Sequence, residues 1–74
     1  MRMLKQTELT TMYALETLES AVSERLVFWS EQWKKTNKEA DKELMAMYER
    51  KLEEAVAAKI EYQVYAFARA REEN

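Results

Sequence analysis

Apolar side chains in the first half of the chain recur at helical spacing. Plotted at about 100° per residue, Leu4, Met12, Leu15, Leu18, Val22, Leu26, Trp29 and Trp33 fall within roughly one third of the circumference. From Leu15 onward the steps are three, four, four, three and four residues. Ala14, Ala21 and Phe28 add a flanking row at seven-residue spacing, while Leu9, Tyr13 and Val27 stray to the far side. The pattern predicts one long amphipathic helix with its stripe on a partner.

A similar seam opens the second half: Met45, Tyr48, Leu52, Ala55, Lys59, Tyr62 and Ala66, in alternating three- and four-residue steps. Beyond Ala55 the pattern changes. The run AVAAKIEYQVYAFARA is apolar nearly all round, with Val56, Ile60 and Phe67 pointing one way and Ala57, Val64, Tyr65 and Ala68 another. A helix apolar on every side belongs in a place buried on every side. One neighbouring helix cannot supply that.

Between the two halves, the run Lys34-Lys35-Thr36-Asn37-Lys38-Glu39 reads as a boundary. Thr36 and Glu39 have the spacing of a capping box, in which two side chains satisfy each other's orphan amides. Glu39 and Asp41 suit the positive start of a helix dipole, and Lys34 and Lys35 suit the negative end of the one before. The competing reading is one unbroken rod of about 65 residues, about 100 Å long. Charge and cap together favour a single-domain antiparallel hairpin, with arm 1 over about 4–35, arm 2 over about 37–72 and the turn near Thr36-Asn37. In it Trp29 and Trp33 are expected near Leu44 and Met45, Val22 near Leu52, and Leu18 near Val56. The expected hairpin core is Leu15, Leu18, Val22, Leu26, Trp29, Trp33, Met45, Tyr48 and Leu52.

Composition sharpens the picture. The 74 residues contain no glycine, proline, cysteine or histidine, which leaves nothing for hairpin turns of a β-protein, phosphate-cradling loops or disulfides. A two-helix unit of this size has too little core to stand alone without staples or oligomerisation, and disulfide staples are excluded. Each apolar side chain left wet forgoes about 1 kcal/mol or more. Summed over the second arm, that is a large share of the roughly 5–15 kcal/mol that holds a domain together. The expected answer is self-association into a homo-oligomeric helical bundle, a homodimer or higher, through Val56, Ile60, Val64, Tyr65, Phe67 and Ala68. The start MRMLKQTEL meets Lys5 and Glu8 before any apolar signal region forms, and no stretch approaches the roughly 20 apolar residues of a membrane span. A cytoplasmic chain with no membrane partner is expected.

The candidate chemistry is narrow. Without His or Cys, triad-type nucleophiles and the usual zinc sites are unavailable. Carboxylates with Mg²⁺ remain, in Glu39, Asp41 and Glu43 after the turn and in Glu49, Glu53 and Glu54 mid-arm. Interleaved with Lys42, Arg50 and Lys51, these read better as solvated charge than as a catalytic site, and no cofactor is expected. Basic residues are diluted by acids at a formal charge of -2, so nucleic acid is not an expected partner. Lys59 is the oddity, a cation at a seam position, where it sets register or oligomer state at a cost in stability. Glu16 or Glu19 on the facing arm is its expected partner. Alternatively Lys59, Tyr62 and Arg69 form an anion site at a subunit junction.

The sequence therefore reads as a non-enzymatic, self-associating helical hairpin that acts through protein–protein contact, as a small regulator, adaptor or inhibitor. An oligomer sequestering a small anionic ligand such as a nucleotide is one alternative. A Mg²⁺-dependent helical nucleotide hydrolase is another.

Overall fold

The computed structural model describes residues 3–72, which form two α-helices. Helix α1 spans Gln6–Thr36 and helix α2 spans Glu39–Glu72. They pack along their lengths as a hairpin of 56 × 15 × 12 Å. The Cα radius of gyration is 16.8 Å, against about 11 Å for a compact chain of this length. The molecule is a narrow ribbon with one internal seam.

Leucine, alanine, glutamate, lysine, methionine and arginine fill both helices, and these lose least on entering helix. The turn is made without glycine. Asn37 takes the left-handed conformation at φ 53° and ψ 27°, and its amide donates to the Trp33 carbonyl at 2.9 Å. Asparagine is the residue other than glycine that visits this region most readily.

Helix α2 starts two residues later than a Thr36–Glu39 capping box would put it. Lys38 stands at its N-cap, with its carbonyl accepting from the Asp41 and Lys42 amides at 3.0 and 3.2 Å. Thr36 is the last residue of α1, its hydroxyl turned back to the Gln32 carbonyl at 3.0 Å. That hydroxyl also meets the Asp41 carboxylate and accepts a 3.3 Å hydrogen bond from the Lys38 amide. Threonine thus bridges the two helices through the Asp41 carboxylate. Lys34 and Lys35 lie in the last turn of α1, Glu39 and Asp41 in the first turn of α2.

Two cross-helix ion pairs, Glu8–Arg69 and Glu19–Lys59, fix the register, eleven residues along α1 being matched by ten back along α2. Val22 consequently lies level with Ala55 rather than Leu52, and the two line one shallow groove. Leu18 sits on the rim of that groove beside Ala58 instead of facing Val56. It is 49% exposed, so it belongs to a flank and not to the hairpin core. Leu15, Val22, Leu26, Trp29, Trp33, Met45, Tyr48 and Leu52 are half-buried along the seam.

Replacing Asn37 by alanine puts a Cβ without a compensating side-chain dipole into the left-handed region, at a cost of about 1 kcal/mol. Chemical denaturation at fixed protein concentration should show that loss for Asn37→Ala and none for Asn37→Gly.

Candidate functional site

The seam runs at seven-residue spacing through Glu8, Leu15, Val22 and Trp29, and through Met12, Glu19, Leu26 and Trp33. Two of these eight positions are therefore carboxylates. On α2 the facing positions alternate Asp41, Met45, Tyr48, Leu52, Ala55, Lys59, Tyr62, Ala66 and Arg69. The antiparallel fold brings acid on one helix to base on the other twice in the open half.

The terminal pair is the tighter. Arg69 donates through Nε to Glu8 Oε2 and through Nη2 to Glu8 Oε1, both at 2.6 Å. This fork-on-carboxylate geometry is the strong form of a charged hydrogen bond. Nη2 also donates to the Met3 carbonyl at 3.2 Å. Glu8 meanwhile accepts the Lys5 amide at 2.8 Å, capping the first turn of α1. Lysine offers no acceptor in return, so only the glutamate half of a capping box exists here. One buried carboxylate thus closes a helix end and ties it to the far end of the chain. Arg69 first, and the Lys5 amide second, hold the Glu8 carboxyl below its ordinary value, against the opposing effect of burial.

Lys59 Nζ lies 2.5 Å from Glu19 Oε1, with the lysine 23% and the glutamate 31% exposed. The contact with Glu19 pushes the Lys59 ammonium above its ordinary value, with Glu16 adding at longer range and burial opposing. Lys59, Tyr62 and Arg69 lie along one seam, but each of the two cations is engaged by a carboxylate of α1. An anion entering there has to displace Glu19 or Glu8.

The acidic groupings do not converge. Glu39, Glu43, Glu49, Glu53 and Glu54 all lie exposed, and among the described residues no three carboxylates stand close enough to hold a metal ion. At the turn end, Lys42 Nζ rests 5.8 Å from the Trp33 ring and Phe28 meets Trp29 edge-on at 4.9 Å. Both tryptophans are half-buried, and Phe28 is 48% exposed.

The third feature is what the hairpin leaves uncovered. Only Ala55, Ala66, Ala70 and Glu8 are buried among the described residues, and no large side chain is fully enclosed. Ile60, Val64, Tyr65 and Phe67 are each more than half exposed, while Val56 and Ala68 are half-buried. The fully buried positions of the seam are alanines and Glu8; Met45, Tyr48 and Leu52 are half-buried there, and Ile60, Val64 and Phe67 of α2 face outward.

Glu8 escaped a reading based on apolar residues alone because a carboxylate does not register on an apolar stripe. The available signal was its place seven residues before Leu15, matched by Arg69 seven residues after Tyr62 on the facing seam. No protein-family model, curated protein or solved structure matches the chain.

The Glu8–Arg69 pair makes stability depend on pH in a definite direction. A depressed folded-state pKa contributes stability that is full above the ordinary glutamate value of 4.5 and is lost as pH falls through the folded value. Glu8→Gln keeps an acceptor for the Lys5 amide but removes the charge. Thermal melts should place this variant below the native protein at pH 7, with the gap closing as the pH falls below 4.5 and through the folded-state value. A gap that persists unchanged in acid would show that the carboxylate charge is not what the pair contributes.

Proposed function

We propose that this protein is a self-associating helical hairpin that acts by binding other protein surfaces, as a small regulator, adaptor or inhibitor, and carries out no chemistry of its own. The observation that supports this reading most directly is the exposure of Ile60, Val64, Tyr65 and Phe67 above a seam in which, among the described residues, only alanines and one glutamate are fully buried. A folded chain of 8.9 kDa is expected to expose about 4,800 Å² when compact. The hairpin exposes 5695 Å², about 900 Å² more than that scaling gives. A stable protein–protein interface removes about 800 Å² from each partner. The excess is of the size that one such interface covers.

The apolar character of the exposed set decides its use. Three of these, Ile60, Val64 and Phe67, share one side of α2 at helical spacing, and an exposed apolar stripe of this kind marks an interaction site. Small residues among them, Ala57 and Ala58, allow another helix to approach closely. Assembly through α2 leaves α1 on the outside, where Phe28 stays available as an aromatic anchor for a different protein.

No helix among the described residues is long and apolar enough to cross a membrane, so α2 calls for a protein neighbour rather than a bilayer-spanning role. Light scattering coupled to size exclusion at micromolar concentration should return a mass at least twice that of the 8.9 kDa chain. Ile60→Glu, on the outward face, should shift the mass to that of one chain while circular dichroism still reports helix. A well-folded single copy of the native protein under the same conditions would overturn the reading.

A further inference from the structure

The outward face of α2 carries a second seam. Glu53, Ala57, Ile60, Val64, Phe67 and Arg71 follow one another in steps of four, three, four, three and four. That is the spacing of a coiled-coil stripe. All six are exposed in the hairpin. At about 100° per residue the stripe lies nearly opposite the one that packs on α1, so a helix seated on it does not collide with α1. Among the described residues neither Glu53 nor Arg71 makes an ion pair within the hairpin.

The stripe reads as its own complement when reversed. We infer that it is the contact between two copies of this chain, with α2 lying antiparallel to α2 of the partner subunit about a twofold axis between Ile60 and Val64. A twofold interface requires every contact to occur twice with roles exchanged. In this register Ile60 faces Val64 of the partner subunit, and Ala57 faces Phe67 of the partner subunit, setting the smallest side chain against the largest. At each end Glu53 meets Arg71 of the partner subunit. The parallel arrangement sets Glu53 on itself, Arg71 on itself and two phenylalanines at one level, so like charges meet and the bulk collides. The antiparallel register satisfies both charge and volume.

This inference rests on the self-association proposed above and adds the partner, the direction and the register. The test is charge reversal at the two ends. Glu53→Arg alone sets arginine against arginine, and Arg71→Glu alone sets glutamate against glutamate. Mixing the two variants restores an opposite pair at both ends. In sedimentation equilibrium at low salt, where rim charges act most strongly, each single variant should dimerise about tenfold more weakly than the native chain. The equimolar mixture, and the double variant Glu53→Arg/Arg71→Glu, should return to near native affinity. Circular dichroism should be unchanged throughout, because both side chains are exposed in the hairpin.

If the native chain associates but the single variants associate equally well, or the mixture is no tighter than its components, this register is wrong and self-association stands. A native chain that stays single overturns both.

Discussion

A hairpin of two helices offers each helix one neighbour, and a single neighbour covers about a third of a helix surface. Helix α2 is apolar over much more than that between Ala55 and Ala70. Every other feature of the molecule follows from how this excess is distributed. The side facing α1 is built from alanines, half-buried residues and charge, and the bulkier side chains are turned out. A lone hairpin optimised for its own stability would instead keep charge out of the seam and turn Ile60, Val64 and Phe67 into it.

The charged pairs make sense in that setting. Two carboxylates and two cations spaced along opposite seams give the hairpin a register that an alanine-rich contact does not impose, since small side chains interlock weakly and helices slide on them. Removing charge from water is costly, and a partly buried pair is weak evidence for stability. Its contribution here is to alignment. Glu8 and Arg69 lock the open end, Glu19 and Lys59 the middle, and Thr36 with Asp41 the turn. Three polar contacts at intervals along the ribbon hold α2 in one rotational setting, and that setting decides which stripe of α2 faces outward.

The architecture was largely legible in the letters. Helix-forming composition, the lysines before the turn and the acids after it pointed to two helices joined near Thr36, and that is the fold. The finer placement was not. Leu18 fits an apolar stripe by spacing, yet Glu19 beside it takes the seam because a lysine stands opposite. That shifts the register by about one turn and moves Val22 from Leu52 to Ala55. The pairing of Lys59 with Glu19 was expected from its seam position, but the apolar stripe was aligned without it, which left the register of the apolar residues one turn off. The turn fell at Thr36-Asn37 as expected, but the left-handed conformation of Asn37 is selected by backbone geometry and leaves no periodic trace.

That Ala55, Ala66 and Ala70 are the only fully buried apolar residues among those described has a calorimetric consequence. Heat capacity and denaturant slope both scale with the surface released on unfolding. A solitary hairpin that fully shelters three alanines and leaves its larger seam side chains half-wet would melt over a broad range, with little curvature in its stability against temperature. Sharp cooperative melting, if the protein has it, is then a property of the assembled state and of the protein concentration that sustains it.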